Sequence, residues 1–154
     1  EAGADGMDFD TTGGAGDADL FSTLRAVRHV REKWPEAGIE VGMAGEFVIG
    51  VHGELEWEGR RLAGMWPRDQ LEVAQDAGAT LFGPAVNIRT SKSCAWNAAF
   101  SLTVMKPCMD AARIPVHPNV GQGVCGVPVN GYPGEDASSR AAKACVEILR
   151  CDGL

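Results

Sequence analysis

The spacing of apolar positions changes several times along this chain, and each change marks an element. Gly6-Met7-Asp8-Phe9-Asp10 alternates as a strand and runs into the small-residue loop Thr11-Thr12-Gly13-Gly14-Ala15-Gly16. From Leu20 the period lengthens: Leu20, Phe21, Leu24, Val27, Val30 and Trp34 fall three and four apart, which predicts a helix with one buried face. Asp17 or Asp19 is expected to cap it, and Pro35 with Gly38 to stop it. Ile39-Glu40-Val41-Gly42-Met43 returns to alternation and predicts a second strand. A Gly-rich excursion follows over 44–66, in which 47–51 and 55–62 are expected to pair as a hairpin turning near Glu58-Gly59. Pro67 then suits the first turn of a short helix carrying Leu71, Val73, Ala74 and Ala77, with Gly78 as its left-handed stop.

The same unit recurs. Thr80-Leu81-Phe82-Gly83 is a third strand. Beyond Asn87-Ile88-Arg89-Thr90, Ser91 or Ser93 is expected to cap a long apolar helix through Trp96, Phe100, Val104 and Ala111. Pro107 lies inside it and predicts a bend or an early end, since an interior proline costs about 3 kcal/mol. Ile114-Pro115-Val116-His117 is the fourth strand. A Gly-rich loop over 121–134 leads to a helix capped by Asp136 and packed through Ala141, Ala144, Cys145 and Ile148, and Cys151 starts a fifth strand.

Strands alternating with helices mean a parallel sheet covered by helices, either doubly wound or a (β/α)₈ barrel. A barrel takes ~250 residues, and this chain has 154. It opens Glu1-Ala2-Gly3 without an initiator Met and closes on residues that read as a new strand. The expectation is therefore one incomplete barrel domain over 1–154, about four βα units, with both ends cut.

Composition narrows the partners. With 45% hydrophobic and 23% charged residues the chain is an ordinary globular one. A net charge of −7 argues against a phosphate backbone as partner and suits a cationic small molecule. No apolar run is long enough to span a bilayer and no signal-peptide pattern opens the chain, so a cytoplasmic protein is expected. Five cysteines without a C-x-x-C pair argue against a disulfide framework and a zinc ribbon, and small buried thiols are expected. No metal site is predicted: H-E-x-x-H and G-x-S-x-G are both missing. The loop Gly13–Gly16 lacks the pattern of a phosphate loop, and Asp17 and Asp19 would repel a phosphate there. His29 falls on the charged face of its helix and should be solvated.

In either parallel architecture the ligand site lies at the carboxyl ends of the strands. That directs attention to Asp8, Asp10, Thr11 and Thr12 after the first strand, Glu46 and His52 after the second, Asn87 after the third, and His117 and Asn119 after the fourth. Each also has a structural reading: Asp10 could cap its loop, Glu46 and His52 could shape the excursion, and Asn87 could be a turn residue. Jointly they place carboxylates, an imidazole and amides around one pocket, and Asp10, Glu46, Asn87 and His117 are the pocket candidates.

The sequence resembles a known family through Ala4-Asp5-Gly6-Met7-Asp8-Phe9-Asp10-Thr11-Thr12-Gly13, GMAGEFVIGVHGELEWEGRRLAGMWP from Gly42 to Pro67, FGPAVN from Phe82 to Asn87, TSKSCAWN from Thr90 to Asn97 and GQGVCGVP from Gly121 to Pro128. This long, ordered similarity is to the pyrrolysine-containing methylamine:corrinoid methyltransferases of methanogens, of the dimethylamine type. The resemblance implies a cytoplasmic (β/α)₈ barrel that moves a methyl group from dimethylamine to the Co(I) corrinoid of a partner protein during methanogenesis. The corrinoid would ride on that partner, and this chain would bind no cofactor. A homo-oligomer is expected at full length. The resemblance also implies a pyrrolysine directly after Cys151-Asp152-Gly153-Leu154, with Asp10 and Glu46 as the carboxylates favouring a cationic amine. Two alternatives stand beside it: an inactive product ended at an amber codon, and an unrelated barrel lyase or zinc-and-cobalamin methyltransferase.

Overall fold

A computed structural model describes residues 3–10 and 12–154. Its main sheet is parallel, with β1 (Gly6–Phe9), β2 (Gly38–Gly45) and β5 (Leu81–Ala85) side by side in chain order. The predicted fourth strand adds to the far edge of β5 as a single parallel bridge between Phe82 and Val116. Around that bridge Phe82 N–H donates to Pro115 O (3.1 Å), His117 N–H to Phe82 O (3.0 Å) and Asn119 N–H to Pro84 O (2.9 Å). The segment at Cys151 follows suit without becoming a regular strand: Asp152 N–H donates to Val116 O at 3.0 Å, and Val116 N–H to Asp152 Oδ2 at 2.9 Å. Each new segment thus joins on the same side of the one before.

The helices form a sequential layer against this sheet. α1 (Asp17–Lys33) packs on α2 (Pro67–Ala77), and α2 on α3 (Ala95–Ala111). Leu20, Leu24, Val27 and Val30 are the buried stripe of α1, at the predicted spacing. They share one core with Ile39, Val41, Leu71, Phe82 and Val116. β2 is irregular between Val41 and Ala44, and Met43 there has φ 47°. The extra residue lets both Val41 and Ala44 be buried in that core, which strict alternation would forbid.

Gly78 ends α2 in the left-handed region (φ 110°) as predicted. Its carbonyl accepts from Arg31 Nε at 3.0 Å, and a Cβ at this position would lie 2.9 Å from Arg31 Cγ. Gly78→Ala therefore combines an unfavourable φ with a clash against α1, and it is expected to cost roughly 1–2 kcal/mol in urea unfolding. A loss below the error of the titration would show that neither constraint operates.

Several expectations need correction. Asp17 is the first residue of α1 rather than its cap, Gly16 holds the cap position, and Asp17 Oδ2 instead accepts Leu55 N–H (3.0 Å) from the excursion. Trp34 is largely exposed beyond the last turn. The excursion does turn at Glu58-Gly59, but the hairpin closes on itself: β3 (Glu56–Trp57) pairs antiparallel with β4 (Arg60–Arg61). Val48 lies instead beside 64–65, donating to Met65 O and accepting from Gly64 N–H. The hairpin docks on α1 through Phe21 and Trp57, whose rings meet edge-on at 6.0 Å, and Arg28 stacks over Trp57 while pairing with Glu58 at 2.6 Å.

No serine caps α3. Cys94 precedes it in extended conformation, and buried Asn97 organises the turn before it, donating through Nδ2 to Thr90 Oγ1 and Lys92 O. The helix also continues past Pro107 to Ala111 rather than ending there. α4 (Glu135–Ala144) is preceded by Gly134, with Asp136 inside its first turn paired to Arg140. A π-helical turn over Cys145–Leu149 then fits an extra residue into the turn, so Leu149 is buried where Ile148 was expected, and Ile148 is exposed. Cys108, Cys125 and Cys145 are buried free thiols; Cys94 and Cys151 are half-buried.

Candidate active site

Because side chains alternate along a strand, burying Ile39, Val41, Phe82 and Val116 under the helices sends their neighbours to the opposite face of the sheet. The residues that follow them are polar or lack a side chain: Glu40 and Gly42 on β2, Gly83 on β5, and His117. Asp8 stands in register with Glu40. Glu40 Oε1 lies 2.5 Å from His117 Nε2, although a whole strand separates their backbones. Neighbouring strands are about 4.8 Å apart, so the glutamate must lean across β5 to make this contact. Gly83 is what lets it: a Cβ there would sit 3.2 Å from Glu40 Oε1 and 3.3 Å from Asn119 Nδ2. Gly42 does the same for Asp8, whose Oδ1 would be 2.8 Å from a Cβ at 42.

Both partners of the contact are about one-quarter exposed, 26% for the His117 side chain and 22% for Glu40. They are open to a solute and still partly desolvated. Desolvation raises the Asp8 carboxyl above its ordinary value even though its surface stays accessible. The Glu40 and Asp10 charges raise it further, and His117 lowers it. Asp8, Asp10, Glu40 and His117 are therefore one electrostatic group. Asn119 completes its edge by donating through Nδ2 to Gly83 O at 3.4 Å.

The other candidates occupy a second position. Glu46, 8% exposed, follows the end of β2, where Oε2 accepts Asn87 N–H at 3.2 Å and Oε1 faces Arg89 Nη1 at 3.4 Å. Arg89 in turn stacks over Phe100 at 4.5 Å. Glu46 thereby ties the end of β2 to the loop after β5 and to α3, and Asn87 is exposed, with its backbone bridged to Val124. Buried Gln70 clamps the excursion beside it, donating to Gly45 O and Met65 O at 2.9 Å each. Thr12 is buried, with its hydroxyl donating to Phe9 O at 2.8 Å, so it shapes the loop. His52 is exposed on the excursion and His29 on α1. Thr11 and the Glu1-Ala2 opening lie outside the described residues.

Of the four pocket candidates, then, the structure brings His117 and Asp10 into one charge group and Glu46 and Asn87 into another. Glu40 was missed. Between Ile39 and Val41 it reads as a solvent-facing strand residue, but strands of a fully covered parallel sheet run continuously apolar. A glutamate alternating with glycine in such a strand is the signal that could have found it.

The result is a parallel α/β framework whose face opposite the helices carries carboxylates beside a histidine. Residues 1–154 match the family model of the dimethylamine methyltransferases (Dimeth_PyL), and the chain belongs to that family. The membership displaces the alternative of an unrelated barrel lyase. Among the described residues no helix is long and apolar enough to cross a membrane.

Proposed function

We propose that the chain is part of a cytoplasmic (β/α)₈-barrel enzyme that transfers a methyl group from dimethylamine to the Co(I) corrinoid of a partner protein, as in methanogenesis from methylamines. Its amine pocket is then the Asp8–Glu40–His117 face. The observation that carries the reading is this carboxylate–imidazole group, found on the open face of the sheet in a chain of the dimethylamine methyltransferase family. Support for a barrel comes from the order of the segments. β1, β2, β5, Val116 and Asp152 add successively in one direction, whereas a doubly wound sheet reverses after its first strands. On closure the polar face becomes the lumen.

The chemistry suits such a lumen. Dimethylamine is a cation at neutral pH, so Glu40 and Asp8 attract it and accept its N–H hydrogens, and its methyl groups are left to point elsewhere. When the C–N bond breaks, its electron pair stays on nitrogen. A nitrogen that is still protonated leaves as neutral methylamine rather than as an amide anion. The corrinoid, carried by the partner, supplies the electron pair that accepts the methyl group. Holding the amine in one orientation against that acceptor is the other contribution expected of the pocket. Gly153 borders the same face: a Cβ on it would lie 3.5 Å from His117 Cβ. Asp10 belongs to the pocket through Asp8, whereas Glu46 and Asn87 brace its rim.

The decisive experiment incubates the full-length enzyme and its corrinoid protein, reduced to Co(I), with dimethylamine, and follows the corrinoid absorbance and methylamine release. Stoichiometric methylation with dimethylamine, and little with mono- or trimethylamine, is the expected result. An unchanged Co(I) spectrum with dimethylamine would overturn the proposal.

A further inference from the structure

Away from the amine pocket, two thiols touch. Cys125, in the Gly-rich loop over 121–134, and Cys145, at the start of the π-helical turn, place their sulfur atoms 3.3 Å apart in the second core, formed with Val86, Met105 and Leu149. Neither is left to chance by its backbone. Cys125 N–H donates to Val86 O at 3.0 Å, fixing the loop to the end of β5, and the residue holds φ 53°, a left-handed value unusual for a side-chain-bearing residue. Cys145 O accepts Arg150 N–H at 3.0 Å, which closes the turn. Half-buried Cys151 packs against the same core.

We propose that Cys125 and Cys145 are a redox-active dithiol which hydrogen peroxide converts into an intramolecular disulfide. A disulfide has an S–S distance of about 2.05 Å, so the sulfurs need to approach by only roughly 1 Å. In the first step the Cys125 sulfur attacks one peroxide oxygen; the O–O bond breaks, a sulfenic acid forms on Cys125 and water leaves. In the second, the Cys145 sulfur attacks the Cys125 sulfur, the S–O bond breaks, and hydroxide departs with the Cys145 proton as a second water. Two thiols are oxidised and one peroxide is reduced to two waters.

The two thiols act on each other through this contact, in which either sulfur can donate: it lowers Cys125 and, with burial, raises Cys145. With the sulfurs 3.3 Å apart, whichever thiol is oxidised first has the other in place to resolve it. Cys108, pushed up to about 12 chiefly by burial, is the internal control. The bond would tie the 121–134 loop to the helix end that leads into the Asp152 segment beside His117.

The test treats the full chain with hydrogen peroxide, blocks remaining thiols by alkylation under denaturing conditions, and maps peptides without reduction. The expected product is one cross-linked pair, Cys125 to Cys145, lighter by two hydrogens, with Cys108 alkylated as before. Cys125→Ser and Cys145→Ser should each abolish the product, and Cys151→Ser should retain it. A cross-link through Cys151, sulfinic acid on Cys125 without a cross-link, or full alkylation of both cysteines would each overturn the proposal. The unmutated chain decides the matter by itself if a serine variant fails to fold.

Discussion

Glu40→Gln in the full-length enzyme is expected to lower kcat/KM for dimethylamine by roughly 10²-fold, the scale of losing one well-placed electrostatic contact. The substitution keeps the shape and a hydrogen bond to His117 but removes the charge that leans over Gly83. Glu46→Gln provides the contrast. Glu46 already spends its oxygens on Asn87 N–H and Arg89, so its loss should lower stability and leave kcat/KM within a few-fold of the parent. Equal kcat/KM for Glu40→Gln and the parent enzyme, with melting temperature unchanged, would remove Glu40 from the pocket.

The pH dependence follows from Asp8. Its carboxyl is raised in the folded chain, so it gains a proton, and loses its pull on a cationic amine, at a higher pH than an ordinary aspartate does. The acid limb of kcat/KM should begin correspondingly high and move down in Asp8→Asn. For stability the sign is the reverse of that of a salt-bridged aspartate. A raised pKa means that the protonated form favours folding, so this contribution is fully present below the unfolded value, about 3.9, and is lost as pH rises through the raised value. Asp8→Asn should therefore be more stable than the parent at neutral pH and not below that range.

What the sequence disclosed divides along physical lines. Elements whose signals are local were legible: the α1 stripe from Leu20 to Val30, Pro67 and Gly78 at the two ends of α2, and the turn at Glu58-Gly59, where both residues take positive φ. Features set by tertiary contact were not. The hairpin partner of 55–62 could not be read because Val48 was equally eligible; the segment pairs within itself, with Trp57 docked on Phe21. Ile148 was misplaced because an α-helical period was carried through a turn that is π-helical, which shifts the buried position to Leu149. The site divides in the same way. His117 and Asp10 drew attention because they follow strand ends, whereas Glu40 lies within a strand. Its reach to His117 depends on Gly83, a position whose meaning is invisible until two strands are laid side by side.

Phe82→Ala is expected to destabilise the chain by about 3–5 kcal/mol, the range for emptying a large buried aromatic site. Phe82 is fully buried, the largest such side chain among the described residues, in the core shared by α1, α2 and the sheet. It is in register with Val41 on one side and bridged to Val116 on the other, and its backbone bonds both Pro115 O and His117 N–H. Since domains are stable by only ~5–15 kcal/mol, a loss of this size consumes a large share of the total. Phe82→Leu keeps most of the volume and should cost less than about 1.5 kcal/mol. Guanidinium unfolding of the two variants measures the difference, and a Phe82→Ala loss near 1 kcal/mol would mean that the core collapses into the vacated space. The consequence reaches the pocket, because the ladder that Phe82 anchors is what sets His117 opposite Glu40. Phe82→Leu should retain the dimethylamine kcat/KM if backbone pairing holds that register, whereas a fall comparable to that of Glu40→Gln would show that the ring itself positions the histidine.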